Sequence, residues 1–337
     1  MFSIFHYNLL HRNTFGIEAW ADRFVEYASE DELVRFVKTE RNGQPLVHIG
    51  SGSNLLFCSD YNGIVLHSGI CSVEELPSDS NDTVRVRVGS GLLWDDLVSL
   101  CVDNGWHGLE NLSLVPGEVG AAAVQNIGAY GAEAKDFLEN VEVVDMQKGT
   151  LKTVANAGCC YAYRSSAFKK QWAGRYAVTH VTLRLNRRFE PNLTYAALAA
   201  ELELRGLSQP TAKQMRQTVI EVRQNKLPDP KVTGNAGSFF MNPVVDHETF
   251  AALLSAFPDM PHYENESGVK IPAAWLIERA GWKGRSQGAA GVYDKQALVL
   301  VNKGGASGRD IAALSQSIVA DVKRIFGITL KPEVMFI

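Results

Sequence analysis

At 337 residues, with 46% hydrophobic and 21% charged side chains and a formal net charge of −4, the chain is long enough for two or three domains and ordinary in composition. That balance argues against a disordered chain and against a general nucleic-acid binder, and pairs such as Arg187-Arg188 read as solvated surface. No apolar run approaches the ~18 residues of a membrane span, and MFSIFHYNLLHRNTFG lacks a basic leader and a small-residue cleavage site, so neither membrane insertion nor a signal peptide is expected.

SEDELVRFVKTE opens on a capping-box pattern, Ser29 with Glu32, and sets Leu33, Phe36 and Val37 on one helical face. QPLVHIGSGSNLLF predicts a short strand running into a glycine-rich turn, and TVRVRVGSG alternates as a half-buried strand does. LLWDDLVSLCVDNG predicts a helix with Leu93, Leu97, Leu100 and Cys101 on its apolar face, stopped by Asn104-Gly105. The small-residue stretch ENLSLVPGEVGAAAVQNIGAYGAE follows, then strand-like NVEVVDM and YAVTHVTLRLN. Thr211 and Gln214 cap a helix to about Asn225, and the prolines of KLPDPKV break it, marking the boundary between an N-terminal and a C-terminal unit. DHETFAALLSAF, PAAWLIERAG and SGRDIAALSQSIVADVKRIFG predict further helices. The last has Ser307 as cap, Asp310 three residues on, and Ile311, Leu314, Ile318, Val322 and Ile325 along one side. ALVLVN and the final EVMFI read as strands.

Cys58, Cys71, Cys101, Cys159 and Cys160 are odd in number and lack a C-x-x-C spacing, so they read as reduced, mostly buried thiols of a cytoplasmic protein. The histidines show no metal-ligand spacing and no metal is expected; His48 and His180 lie in apolar strands and read as structural. GSGSN and PGEVGAAAVQNIGAYG offer backbone N–H groups to anionic oxygens, but neither matches a dinucleotide fingerprint or a P-loop. GSGSN alone is equally compatible with a tight turn. The nearly uncharged second stretch makes a poor surface loop and suits a backbone pressed against a large flat ligand.

Ser238 sits in GNAGSFFMNP, which lacks the G-x-S-x-G of a nucleophile elbow. Arg164, in YAYRSSAFKK, has a setting that suits a guanidinium held against an anion, although a surface arginine is the simpler alternative. Glu333, in LKPEVMFI, read alone is an exposed carboxylate.

GSGSNLL, GLENLSLVPGEVGAAAVQNIGAYGAE, YRSSAFK, KLPDPKVTGNAGSFFMNPV, AAWLIERAGWKG and PEV-F stand in the order found in the UDP-N-acetylenolpyruvoylglucosamine reductases, and the chain resembles that family over nearly its whole length. Its length and LTYAAL resemble the longer branch (type I), in which a tyrosine-bearing loop folds over the substrate. The resemblance implies an α+β fold: a FAD-binding domain of the vanillyl-alcohol-oxidase/p-cresol-methylhydroxylase type, then a smaller α+β substrate-binding domain. The implied division is 1–205 (subdomains about 1–75 and 76–205), a connecting helix and linker at 206–230, and 231–337 with the last strand returning to the active site.

The implied reaction is NADPH-dependent reduction of UDP-N-acetylglucosamine enolpyruvate to UDP-N-acetylmuramate, a step of peptidoglycan precursor synthesis, with hydride passing through FAD N5 to C3 and a proton from Ser238 to C2. Matched by motif, Arg164, Ser238 and Glu333 are the catalytic residues. FAD contacts fall on Gly50, Ser51, Gly52, Ser53, Asn54 and Leu55, and on Pro116, Gly117, Gly120, Ala121, Ala122, Gln125, Asn126, Gly128, Ala129, Tyr130 and Gly131. Tyr163, Tyr195, Arg223, Lys226, Asn242, Tyr263 and Lys283 match positions facing the nucleotide-sugar substrate. The expected state is a monomer. Met335 departs from the family by standing where a basic residue is usual, VGAAAVQN carries alanines in place of glycine or serine, and the segment 285–296 diverges. Two other readings share these residues: a flavin- or nucleotide-binding protein without turnover, and a flavin oxidase or dehydrogenase with another substrate.

Overall fold

The computed structural model describes residues 1–265 and 268–337; Glu266 and Ser267, in HYENESGVK, lie outside them. By its internal contacts the chain forms two compact units. One comprises Met1–Tyr7, Ala21–Ser51 and Asn62–Asn225; the other comprises Asn8–Trp20, Gly52–Tyr61 and Lys226–Ile337.

In chain order the first strands are β1 (Phe2–Asn8), β2 (Trp20–Tyr27), β3 (Leu46–Ile49), the two-residue β4 (Leu55–Leu56) and β5 (Tyr61–Ser68). Four of them form a sheet of order β1-β2-β5-β3, in which β3 and β5 run parallel and Ile49 lies opposite His67. Helix α1 (Glu30–Thr39) buries Leu33 and Phe36 with Val25, Tyr27, Ile64 and Leu66 of this sheet. Ser29 Oγ accepts the Glu32 N–H (3.2 Å), but the Glu32 carboxylate accepts from the Ala28 N–H (2.8 Å), so the reciprocal half of the expected capping box is shifted by one residue.

The next elements are β6 (Val73–Leu76), β7 (Thr83–Gly89), α2 (Trp94–Asp103), α3 (Val119–Gln125), β8 (Gly128–Ala129), β9 (Ala132–Glu133), β10 (Leu138–Asp145), β11 (Thr150–Ala155) and β12 (Tyr176–Asn186). An antiparallel sheet of order β11-β10-β12-β7-β6 carries Val84, Val86 and Val88 inward, as the alternation predicts. Helix α2 covers it with Trp94, Leu97, Val98, Cys101 and Val102. Leu93 is exposed, because it occupies the N-cap position and points away from the expected face.

Helices α4 (Ala196–Leu204) and α5 (Ala212–Lys226) pack Leu198 and Leu202 on Met215 and Val219. Thr211 and Gln214 form the expected reciprocal cap of α5. Arg216 of α5 pairs with Asp95 of α2 through two bonds, at 2.6 and 3.0 Å.

The second unit holds β13 (Gly234–Ser238), β14 (Val244–Val245), α6 (His247–Ala256), β15 (Tyr263–Asn265), β16 (Gly268–Lys270), α7 (Ala273–Arg279), β17 (Ser286–Gln287), β18 (Ala290–Val292), β19 (Val299–Asn302), α8 (Gly308–Phe326) and β20 (Met335–Phe336). Its main sheet, β13-β19-β18-β17, is antiparallel. Ser307 and Asp310 cap α8 reciprocally, and Ile311, Leu314, Ile318 and Val322 are buried. Ile325 is instead at the surface; the last turn buries Phe326. The core gathers Phe15, Ile17 and Leu56 from the two early segments with Phe239, Phe240 and the helices.

Two glycines hold the early segments in place. A Cβ on Gly52, whose φ is +70°, would stand 2.1 Å from the Arg12 carbonyl oxygen, and one on Gly234 would stand 2.1 Å from that of Phe15. Neither position accommodates a side chain without moving backbone. Both early turns are bonded across as well, Asn235 N–H to Thr14 C=O (2.9 Å) and Thr14 N–H to Gly52 C=O (3.2 Å).

The thiols divide: Cys101 and Cys159 are buried and Cys58 half-buried, whereas Cys71 and Cys160 are exposed, so fewer are buried than expected. Burial alone would raise the Asp95 carboxyl, but the bonds from Arg216 and the Leu114 N–H outweigh it and hold the group below the usual carboxylate value. A depressed carboxyl contributes stability that is complete above its unfolded value and lost as pH falls through the folded one. Asp95→Asn is therefore expected to cost about 1 kcal/mol at pH 7, as a half-buried pair does, with the difference from wild type shrinking in denaturant titrations as pH falls below the ordinary carboxylate range.

Candidate active site

The small-residue stretch is not one loop. Residues 119–125 form the helix α3, and Asn126 ends it at φ 48°, in the left-handed region that asparagine tolerates. Asn126 is fully buried and uses its whole amide: Nδ2 donates to Glu133 Oε2 (2.9 Å) and the Ala162 carbonyl (3.0 Å), while Oδ1 accepts from the Lys135 N–H (3.0 Å). These bonds engage its side-chain amide with the protein itself. Tyr130 also has a positive φ, 49°, and its carbonyl accepts from Asn111 Nδ2 (2.7 Å).

The same segment grips the Arg164 loop. Arg164 has φ 51°, and its Nη2 donates to the Gly128 carbonyl at 2.6 Å. Ser166 Oγ donates to the Val124 carbonyl (2.6 Å), and Lys169 Nζ donates to Gln125 Oε1 (2.7 Å) and to the Arg164 carbonyl (3.1 Å). The guanidinium is thus fixed before any ligand arrives, over the half-exposed Tyr163 ring at 5.5 Å. Sequence reading missed Lys169 and Ser166 as parts of this clasp, although both lie inside the YRSSAFK motif; an isolated lysine or serine carries no signal for such a bond.

Other expected cofactor positions suit a backbone cradle. Gly50, Ser51, Ser53, Asn54, Gly117, Gln125, Gly128 and Ala129 are half-buried, Gly52, Leu55, Gly120 and Ala122 buried, and the exposed positions Pro116, Ala121 and Gly131 bear no bulky side chain. A broad ligand can therefore approach the main chain there, and these residues fit FAD.

In the second unit two expected catalytic residues come together. The Glu333 N–H donates to the Phe239 carbonyl (2.8 Å), Met241 N–H to the Lys331 carbonyl (3.0 Å), and Phe240 pairs with Pro332. Glu333 thus lies beside the residue following the exposed Ser238. β20 runs parallel to β4, and Asn54 Nδ2 reaches the Glu333 carbonyl at 3.2 Å. Buried Phe239 and Phe240 anchor the turn. Asn235, also buried, ties it through Nδ2 to the Thr233 carbonyl (2.8 Å) and through Oδ1 to the Gly237 N–H (2.9 Å).

The expected substrate positions differ in their engagement. Tyr195, half-exposed, packs edge-on against Tyr130 at 5.4 Å. Arg223 meets the Tyr130 hydroxyl, burial draws its guanidinium below the ordinary value, and its Nε has no partner among the described residues. Lys226 is exposed at the end of α5, and Tyr263 is exposed with Lys270 over its ring. Asn242 Oδ1 accepts the Ala273 N–H (2.9 Å) at the start of α7, and Lys283 pairs with Glu278 (2.8 Å).

Away from these residues, a cavity of about 370 Å³ opens at the start of α1, lined by Ser29, Glu30, Cys71, Arg87 and His180. Glu30, Glu142 and His180 approach one another there closely enough to ligate a metal. Arg87 Nη2 already lies 2.7 Å from Glu142, 3.0 Å from His180 and 3.9 Å from Glu30, so a guanidinium cross-links the three.

Residues 229–337 match the family model described as the UDP-N-acetylenolpyruvoylglucosamine reductase C-terminal domain, and residues 21–155 match an FAD binding domain. A UDP-N-acetylenolpyruvoylglucosamine reductase of Bacteroides fragilis is 50% identical over 333 residues, covering 98% of this chain and 99% of its own. The chain belongs to the UDP-N-acetylenolpyruvoylglucosamine reductase family. A second relative of that name, from Porphyromonas gingivalis, is 48% identical, with 98% of each chain covered. A crystal structure of the Thermus caldophilus reductase has the same fold, with a TM-score of 0.67 at 23% identity over 99% of this chain and 98% of that one. The protein is accordingly an FAD-dependent oxidoreductase of α+β fold, as its motifs imply.

Asn126→Ala removes three buried bonds and leaves their partners unsatisfied, which is expected to cost about 3 kcal/mol. Urea unfolding measures that loss, and the variant is expected to release FAD more readily than wild type on gel filtration.

Proposed function

We propose that this reductase uses NADPH to convert UDP-N-acetylglucosamine enolpyruvate into UDP-N-acetylmuramate for peptidoglycan synthesis, with Arg164, Ser238 and Glu333 as its catalytic residues. The observation that carries this reading is the register that sets Glu333 against Phe239, next to Ser238. In the proposed division, residues 1–205 hold the flavin and 231–337 bind substrate. The proposed working state is a cytoplasmic monomer, a setting in keeping with five unpaired thiols.

Bound FAD, held by the GSGSN and PGEVGAAAVQNIGAYG backbones, supplies the hydride chemistry between NADPH and the vinyl C3. Reduction at C3 leaves negative charge spread over C2 and its carboxylate. That charge needs a cation whose position is settled in advance, because a preorganised group spends nothing on reorientation. Arg164 meets the requirement through its bond to Gly128 and the Lys169 bond to its carbonyl. A protonated Glu333 would add a second donor to the same charge.

C2 must then receive a proton. An enolate carbon is a stronger base than any side chain, so its donor needs position more than acidity. Ser238 is exposed, follows a glycine, and its hydroxyl makes no hydrogen bond among the described residues. For the UDP moiety we assign Tyr195, Arg223, Lys226, Asn242, Tyr263 and Lys283, with Tyr163 as a further substrate contact. Within this set Lys283 must exchange Glu278 for a phosphate, whereas Asn242 keeps its NH2 donors for the ligand while Oδ1 holds the Ala273 N–H.

Purified protein is expected to be yellow, to bleach with NADPH under anaerobic conditions, and to recover colour on adding the enolpyruvyl nucleotide. Ser238→Ala should bleach normally and recover about a thousandfold more slowly, the scale of a lost general acid. Recovery of the variant at the wild-type rate in stopped flow would remove Ser238 from the mechanism.

A further inference from the structure

Outside the residues assigned above, the first unit contains a triad of buried His67, buried Glu118 and half-buried Glu26. His67 of β5 is 7% exposed; its Nδ1 lies 2.8 Å from Glu26 Oε2 and its Nε2 lies 3.0 Å from Glu118 Oε1. A neutral imidazole carries one N–H and can donate to one carboxylate only, so with both carboxyls ionised the two bonds require the imidazolium. His48, on the adjacent β3, is pushed down to about 4, first by burial and further by a charged His67, and it pairs with the Tyr27 hydroxyl at 3.1 Å. Burial first, then Glu118 and Glu30, push the Tyr27 phenol up; burial, Glu118 and Glu26 do the same to the Cys71 thiol. Phe24 stacks on the His67 ring at 6.2 Å.

Glu118 is where this triad meets the flavin segment. It is 5% exposed and occupies the N-cap position of α3, yet its side chain makes no cap bond and turns to His67 instead. Its Oε2 stands 3.1 Å from where a Cβ on Gly50 would be. The flanking main chain is pinned elsewhere, Trp94 N–H to the Gly117 carbonyl (3.0 Å), Val119 N–H to Leu92 (2.9 Å) and Gly120 N–H to Ser90 (2.9 Å). His67 itself lies opposite Ile49, the residue before Gly50. One side chain therefore links β2, β5 and the PGEVG bend. As an imidazolium it also offsets the Glu118 carboxylate, which lies beside Gly50.

We infer that His67 is a positioning residue for the flavin: as an imidazolium it holds Glu118 against Gly50, sets the spacing of the two glycine-rich turns, and makes FAD retention depend on its proton. The inference rests on the reading that these turns hold FAD, and the first measurement tests that separately. Hydrogen–deuterium exchange with and without FAD should show protection at residues 50–54 and 116–126; protection elsewhere overturns the site reading, and this inference with it, whatever His67 does.

Given protection there, FAD dissociation constants are compared from pH 5.5 to 9 for wild type, His67→Gln and Glu118→Gln. Wild type is expected to bind about tenfold more weakly once pH has passed the titration of the His67 ring, followed by its C2 proton in NMR spectra. His67→Gln should be weakened about tenfold at low pH and flat across the range, and Glu118→Gln should also be flat. Wild-type affinity and pH profile in His67→Gln would overturn the inference. So would a lowered melting temperature of the flavin-free variants with an unchanged FAD profile, since that is the mark of a purely structural residue.

Discussion

The backbone of residues 12–15 is touched from two sides, by Gly52 and by Gly234, each so closely that a Cβ would stand 2.1 Å from a carbonyl oxygen. The two residues of the second unit proposed for catalysis both hang on this contact. Gly52 fixes where the GSGSN turn leaves towards β4, and β4 in turn receives β20, which carries the chain just past Glu333. Gly234 fixes where β13 begins, and hence where Ser238 ends it. Phe15 fills the core between them, and its carbonyl also accepts from Asn302 Nδ2 at 3.0 Å. Movement of this short stretch would displace both members of the Ser238–Glu333 pair together.

The first unit achieves rigidity by another route. Its glycine- and alanine-rich segment has few side chains to pack, so buried polar groups do the fastening: Asn126 with three bonds, Ser166 and Lys169 back onto α3, Arg164 onto Gly128. Small residues leave the backbone approachable for a flat ligand, and the amide and ammonium bonds replace the order that larger side chains would have given. Arg164 and Asn126, both at positive φ, are held in conformations that cost of order 1 kcal/mol or more each and persist because neighbours over-determine them.

Periodicity was legible where one face of an element is buried. The strands β7, β10 and β12 and the helices α1, α2, α5 and α8 lie where alternation, caps and the proline break put them. Errors fell at element ends: Leu93 and Ile325 continue an apolar pattern arithmetically but sit at a cap and in a last turn, where the helix no longer faces the core. The motif order made the family and cofactor legible, and the three candidate catalytic positions with them. What the sequence did not disclose was long-range. Nothing local marks residues 8–20 and 52–61 as parts of the second unit, or joins His67 to Glu118 across 51 positions. Such contacts follow from which strands pair, and a single sequence carries no record of that pairing.

The return of β20 to β4 has a consequence for how the protein is made. Met335 and Phe336 pair with Leu55 and Leu56, and Glu333 is bonded to Asn54 across 279 positions. A ribosome must therefore deliver residues 333–336 before this part of the second unit can close, while residues 52–61, translated far earlier, wait with Leu56 and Phe57 uncovered. Loop closure over such a span is slow, and uncovered apolar segments are those that associate wrongly. Synthesis of this protein should accordingly depend more on chaperone capacity than its ordinary composition suggests.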